Sequence, residues 1–95
     1  MKIKENSFIA KLAAWKLKSG NMAITVGQTI HLYNTTREQF LSDKRWVRHE
    51  MQHILQFQQY GFIRFIFMYT CASIRHGYYN NRWEKEARAA EDEIR

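Results

Sequence analysis

The stretch His49-Glu50-Met51-Gln52-His53 spells H-E-x-x-H inside a segment whose apolar residues recur at helical spacing. Ser42 or Asp43 can cap this helix, the pattern runs to about Gln59, and Gly61 suits its end. Side chains four positions apart project from one face of a helix, about one turn apart, so the two imidazoles can bind one metal ion. The glutamate beside the first histidine is the usual general base in this pattern. The sequence therefore predicts a helix that presents two metal ligands and a base.

A first helix is predicted before this segment. Asn6 or Ser7 can cap it, and Gly20-Asn21 ends it. We expect its apolar stripe to face the core of the domain. The residues on that stripe are Phe8, Leu12 and Trp15, with Ile9 and Ala13 beside them.

Two β-rich runs lie between these helices, at residues 23–26 and 29–33. They form either a hairpin or one bent strand with a bulge at Gly27. In the second run Ile30 and Leu32 alternate with more polar residues, as in a half-buried strand, and residues 34–36 are predicted to be a loop. The strand near Ile30 is the only candidate edge for pairing with an extended peptide.

Two more helices are predicted toward the C-terminus. The first, from residue 62 to about residue 75, is almost continuously apolar, so we expect it to be buried on most sides and Cys71 to be a core residue. Gly77 ends it, and Asn81 can cap the last helix. The core stripe of that helix is Trp83, Ala87, Ala90 and Ile94. Together these elements predict one α+β domain over residues 1–95, with about four helices and a small hairpin or short sheet.

Composition limits the classes of protein that fit. The N-terminus lacks the apolar stretch of a signal peptide, and residues 62–74 contain Arg64 and are too few to span a bilayer, so we expect a cytoplasmic protein without a transmembrane segment. The net charge of +6 is scattered rather than concentrated on one helix face, so we do not expect binding to nucleic acid.

A catalytic zinc site needs a third protein ligand and an open position for water. Three glutamates on the last helix can supply a carboxylate: Glu84, Glu86 and Glu91. At 100° per residue all three lie roughly 70–90° from the core stripe of that helix, so helical phase does not choose among them.

Residues 49–57, Gly61, Phe65, Tyr69, the run Gly77-Tyr78-Tyr79-Asn80-Asn81 and Glu84-Lys85-Glu86-Ala87 together resemble small bacterial metallopeptidases of the gluzincin type. The resemblance covers about half the chain and implies a minimal zincin-like domain. It implies that His49, His53 and Glu84 bind Zn²⁺, because the third ligand of such families opens an E-x-x-A pattern. Those families often have Asp or Asn directly after the alanine. Here Arg88 stands at that position, and Glu86 or Glu91 can take over the role of the missing Asp or Asn.

Two further residues are candidates for the site. His76 lies near the end of a helix and can act as an oxyanion stabiliser or a substitute ligand, although it can also simply interact with the helix dipole. Tyr78 and Tyr79 lie in the loop before the last helix, and the phenol of Tyr79 is the candidate hydrogen-bond donor to a tetrahedral intermediate.

The sequence therefore predicts a zinc-dependent metallopeptidase in which Glu50 moves protons during hydrolysis of a peptide or protein substrate. The chain has little spare length for a substrate cleft, so a protein partner can complete it. The alternative is a non-catalytic metal-binding or protein-interaction module with a basic surface.

Overall fold

Five helices and three strands make up residues 1–93, the part of the chain that the computed structural model describes. In chain order they are β1 (Lys2–Lys4), α1 (Phe8–Leu17), β2 (Met22–Val26), β3 (Thr29–Tyr33), α2 (Arg37–Ser42), α3 (Lys44–Tyr60), α4 (Phe62–His76) and α5 (Arg82–Ala90). The predicted α+β class is confirmed. Strand β1 and helix α2 were not predicted, because each is too short to give a periodic pattern.

The strands form one sheet in the order β1-β3-β2. Strands β2 and β3 are antiparallel neighbours joined through Gly27 and Gln28, so the hairpin alternative is confirmed. Gly27 has a φ of +66°, a conformation that glycine adopts without steric cost. Strand β1 pairs with β3 in parallel. The expectation that the strand near Ile30 is an edge is therefore wrong: β3 is central, and β2 is an edge strand.

Helix α3 lies between the two parts of the hydrophobic core. Its residue Ile54 packs with Ile30 and Leu32 of the sheet and with Phe40 of α2. One turn later, Phe57 packs with aromatic residues of α4 and α5. The H-E-x-x-H segment thus sits on a helix that is held from both sides, which restricts the motion of its side chains.

The predicted ends of the other helices are close to those observed. Ser7 caps α1, Asp43 caps α3 and Asn81 caps α5, each by accepting a hydrogen bond from a backbone N–H in the first turn. Helix α2 begins directly after the predicted loop, where Thr36 and Gln39 form a capping box. On α5 the residues Trp83, Ala87 and Ala90 are buried as predicted, and Ile94 lies outside the described residues.

The predicted core stripe of α1 is wrong. Ala10 and Ala14 are the buried residues of this helix, and Phe8, Leu12 and Trp15 are exposed. Small alanines let the helix backbone approach the sheet closely, and this orientation turns the large apolar side chains to the opposite side. Because the helix is apolar almost all round, its sequence pattern did not identify the buried face.

Helix α4 is also less buried than predicted. Phe65 is its one buried residue, while Ile63, Phe67 and Ile74 are exposed, and so is Cys71. The helix contacts α3 and α5 along one side, and no other element within residues 1–93 covers its opposite side. No helix within residues 1–93 is long and apolar enough to cross a bilayer.

Candidate metal centre

The imidazoles of His49 and His53 converge on the carboxylate of Glu84. Nε2 of His49 lies 3.0 Å from Oε1 of Glu84, and Nε2 of His53 lies 3.0 Å from Oε2 of the same group. The possible ligand atoms of the three residues all lie within 4.8 Å of one another. Helix α5 therefore brings to the two histidines the same glutamate that the E-x-x-A pattern indicated.

The other nitrogen of each imidazole has its own partner. Nδ1 of His49 lies 2.7 Å from Oε2 of Glu91, and Nδ1 of His53 lies 2.8 Å from Oε1 of Gln56. A partner on Nδ1 fixes the orientation of the ring and directs Nε2 to the metal position. Both histidines are thus held with Nε2 toward Glu84.

Gln56 connects His53 to helix α5. Its side chain is fully buried, and its Nε2 donates to the backbone oxygen of Trp83 at 3.1 Å and to Oε1 of Glu86 at 3.0 Å. Gln52 donates to the same oxygen of Glu86 at 2.8 Å. Glu86 therefore supports the site through two glutamines instead of facing the histidines.

Glu84 is only 3% exposed and receives a third hydrogen bond, from the hydroxyl of Tyr69 at 2.5 Å. Burial opposes the ionisation of Glu84, but the hydrogen bonds from His49 and His53 hold its pKa well below the usual range. Burial raises the pKa of Tyr69, as does the charge of Glu84, so the phenol keeps the proton that it donates. Glu84 is therefore a carboxylate with fixed oxygens.

The pKa of His49 depends on the carboxylates around it. Burial lowers this pKa, but the hydrogen bond to Glu84, the charge of Glu50 and the hydrogen bond to Glu91 outweigh burial and raise it to about 9. The cluster of carboxylates thus favours a cation at this position. In the protein without metal, a proton supplies that charge.

Glu50 lies beside the histidines on the side of the sheet. It is 4% exposed, and its Oε1 accepts a hydrogen bond of 2.9 Å from the hydroxyl of Thr25 on β2. Burial raises the pKa of Glu50, against the opposing charges of His53 and His49. A carboxylate with a raised pKa is a stronger base than an ordinary carboxylate, which suits it to accept a proton and pass it on.

The donor set fits a zinc ion. Two imidazole nitrogens and one carboxylate are an established set of protein ligands for catalytic zinc. The Nε2–oxygen distances of 3.0 Å are close to the ~3.3 Å between neighbouring ligands of a tetrahedral zinc ion with bonds of about 2.0 Å. His49, His53 and Glu84 can therefore converge on one ion with small adjustments of their side chains.

A cavity of about 190 Å³ adjoins the cluster. Glu50, His53 and Glu84 line it, and all five residues of β2 line it as well. Apolar residues of α1 and α4 complete its wall: Ala13, Leu17, Phe65 and Ile66. No local sequence pattern predicts this cavity, because the contributing segments are distant from one another along the chain.

Two predicted site residues do not line the cavity. Within residues 1–93, neither His76 nor Tyr79 is among the residues that line the cavity. His76 is exposed at the end of α4. The ring of Tyr79 stacks on Arg88, whose guanidinium carbon lies 3.9 Å from the ring centroid, and Arg88 also donates to the backbone oxygen of Tyr79. The neighbouring Tyr78 lines the cavity in its place.

The structural roles of Gln56 and Tyr69 were not predicted from the sequence. Gln56 follows His53 by three positions on α3, and this spacing places the two side chains on one face of the helix. That spacing was an available signal. Tyr69 acts on Glu84 across two helices, and no local pattern indicates such a contact.

A family model described as the eCIS core domain matches residues 10–61, which is more than half of the chain. The match includes His49, Glu50 and His53 and ends before α4, so Glu84 lies outside it. No curated protein and no solved structure matches the chain. The description of the family does not name a peptidase, so the resemblance to gluzincins stays a prediction. The chain belongs to the eCIS core domain family.

Proposed function

We propose that the protein is a zinc-dependent peptidase that hydrolyses peptide bonds. The observation that carries this proposal is the arrangement of three potential ligands around one point, with Glu50 beside them in a buried position. A site that only holds a metal for stability needs ligands but does not need a further buried carboxylate. Glu50 therefore favours catalysis over a structural role.

When bound, zinc would supply a Lewis acid that polarises the scissile carbonyl and lowers the pKa of a water molecule. Glu50 accepts a proton from this water while the water oxygen forms a bond to the carbonyl carbon. Glu50 then delivers the proton to the amine nitrogen as the carbon–nitrogen bond breaks. The hydroxyl of Thr25 holds the Glu50 carboxylate in position during both transfers.

Strand β2 is the element that favours an extended peptide as substrate. It lies at an edge of the sheet within the described part of the chain, and its residues line the cavity next to Glu50. An edge strand offers unpaired backbone groups with which an extended peptide can pair. The apolar cavity wall favours a peptide with an apolar side chain near the cleaved bond.

A protein partner remains part of the proposal. The name of the matched family refers to extracellular contractile injection systems, which consist of several proteins. A cavity of about 190 Å³ holds little of a polypeptide. We therefore propose that a partner from such a system extends the cleft or supplies the substrate.

Metal binding is tested first. Wild type, His53→Ala and Glu84→Gln are purified, loaded with zinc and dialysed, and their metal content is measured. We expect about one zinc ion per chain in wild type and loss of zinc in both variants. Retention of zinc by Glu84→Gln would refute the ligand assignment. Absence of zinc from wild type after loading would refute the enzyme hypothesis.

Hydrolysis is tested separately with a mixture of quenched fluorescent peptides that vary the residues on both sides of the central bond. Glu50→Gln should keep its zinc and lose turnover, because the amide cannot accept the proton. Equal cleavage by wild type and Glu50→Gln would contradict catalysis by this site. If wild type binds zinc but cleaves none of the peptides, even with its partner present, the non-catalytic metal-binding module is supported instead.

A further inference from the structure

The exposed side of helix α4 carries a row of large apolar side chains. Ile63 is 78% exposed, Phe67 is 70% exposed and Ile74 is 82% exposed. At 100° per residue they lie within about 40° of one another, directly opposite the buried Phe65. They form a ridge along the helix, which we call the α4 ridge.

Helix α1 carries a second ridge. Trp15 is 80% exposed, Phe8 is 70% exposed and Leu12 is 50% exposed. These three residues lie within about 60° of one another, on the side of the helix away from the sheet. We call them the α1 ridge. Both helices also line the cavity beside the metal centre, with residues other than those of the two ridges.

The charged residues on the two helices that carry the ridges are all basic. No Asp or Glu occurs in residues 6–37 or in residues 51–83, which include both helices entirely. Five exposed cationic residues lie on or directly beside the two helices: Lys11, Lys16, Lys18, Arg64 and Arg75. By contrast, five of the nine acidic residues lie between positions 84 and 93, on and after α5. The two helices that carry the ridges therefore lie in segments that are basic and apolar, whereas the acidic residues concentrate in a separate segment.

We propose that the α1 and α4 ridges bind the surface of an anionic lipid bilayer. Exposed Trp, Phe, Leu and Ile can enter the boundary between headgroups and acyl chains, while Lys and Arg contact the lipid phosphates. The charge asymmetry orients the protein with its ridges toward the negative surface. The helices lie along the membrane and do not cross it. This inference is independent of the proposed catalytic activity.

The shape and charge of the surface argue against two other occupants. A second copy of the chain would bring two basic surfaces together, and like charges in contact oppose association. A helical protein segment usually fits its apolar face into a groove. The side chains of the α4 ridge project outward and are largely exposed, so they form a protrusion rather than the wall of a groove.

The test is sedimentation of the protein with vesicles of phosphatidylglycerol or of phosphatidylcholine, at low and at high salt. Three variants are compared: Ile63→Ser with Phe67→Ser, Trp15→Ser, and the control Leu55→Ser with Leu41→Ser. The control removes two exposed leucines on α3 and α2, away from the ridges. Circular dichroism confirms that each variant folds.

We expect wild type to bind phosphatidylglycerol vesicles and to bind phosphatidylcholine vesicles at least about tenfold more weakly. The α4 variant should lose about tenfold or more in partitioning, Trp15→Ser should lose several-fold, and the control should bind like wild type. Quenching of tryptophan fluorescence by brominated lipid should accompany binding of wild type and should be much smaller for Trp15→Ser. Screening of charges by high salt should weaken binding but not abolish it, because apolar insertion is insensitive to screening.

Other results would overturn the proposal. If the folded ridge variants bind as well as wild type, the interaction is electrostatic only. If wild type binds no vesicles and forms dimers that the ridge substitutions disrupt, the ridges join two copies of the chain. If it ignores vesicles but binds an acidic amphipathic peptide, the surface is a site for a protein.

Discussion

Glu91 and Glu84 hold the same imidazole ring from opposite nitrogens: Oε2 of Glu91 lies 2.7 Å from Nδ1 of His49, and Oε1 of Glu84 lies 3.0 Å from Nε2. Seven positions, or nearly two helical turns, separate the two glutamates, so both project from the same side of α5. Helix α5 and its C-cap residue Glu91 thus supply a candidate ligand and the group that orients a second candidate ligand. This arrangement explains how the site is built with Arg88 where related patterns have Asp or Asn.

Replacement of Glu91 by alanine should weaken zinc binding by about 10- to 100-fold, because His49 loses the acceptor that fixes its ring. Glu91→Gln should recover part of the loss, since the amide oxygen can still accept from Nδ1. The control is Asp92→Ala, because Asp92 pairs with Arg45 and Glu91 also pairs with Arg45. Affinity is measured by competition with a chromophoric chelator. Equal affinities of Glu91→Ala and Asp92→Ala would show that Glu91 does not orient His49.

Gln56 should matter for stability even without metal. Gln56→Leu removes the acceptor for His53 and the donor to the backbone oxygen of Trp83, and it leaves these two buried groups without that partner. We expect the free energy of unfolding to fall by roughly 1–3 kcal/mol. The control is Gln58→Leu, an exposed position on the same helix, where the change should stay within about 0.5 kcal/mol. Urea unfolding of the metal-free proteins measures both, and equal effects would refute the role given to Gln56.

The hydroxyl of Thr25 should affect turnover rather than metal content. Thr25→Val keeps the shape of the side chain and removes the donor to Glu50. If the proposed function is correct, we expect zinc content to be unchanged and turnover to fall about 10- to 100-fold, the equivalent of one lost hydrogen bond to a charged group. Thr25→Ser should restore most of the activity. A loss of zinc in Thr25→Val would instead indicate that the strand positions the ligands.

Local signals in the sequence predicted much of the site. Two of these signals are local to one helix each. The i, i+4 spacing predicted that His49 and His53 share a face of α3, and Asn81 was predicted to cap α5. The structure agrees with both predictions. The choice of Glu84 over Glu86 and Glu91 came from the resemblance to a family, because helical phase left it open. The structure brings Glu84 to both histidines and gives the other two glutamates supporting positions.

Contacts between elements could not be predicted from the sequence patterns. The face of α1 that packs on the sheet is the one that lets the backbones approach closely. Ala10 and Ala14 form this buried face, and the larger Phe8 and Trp15 are exposed. The near-continuous apolar run of α4 predicted burial, but burial also requires a neighbouring element, and within residues 1–93 α4 has neighbours on one side only. Strand β1 pairs with β3, which is far away in the chain. With only three residues, β1 is also too short to show a periodic pattern.

His31 on β3 should make folding stability depend on pH. Its Nδ1 lies 2.8 Å from the hydroxyl of Ser7, the residue that caps α1, so it links the sheet to that helix. Burial lowers the pKa of His31 from its ordinary value of 6.5, and so does the charge of Lys4. The unfolded chain therefore binds the proton more readily than the folded chain. Stability from this contact is complete above the ordinary pKa and is lost as the pH falls below it.

Substitution of His31 by glutamine should remove this part of the pH dependence, because glutamine does not titrate and can still bond to the Ser7 hydroxyl. The free energy of unfolding of wild type should fall more than that of His31→Gln between about pH 7 and pH 5. His76→Gln, at an exposed histidine, should retain the wild-type dependence on pH. Parallel curves for wild type and His31→Gln would refute the role given to His31 in the pH dependence of stability.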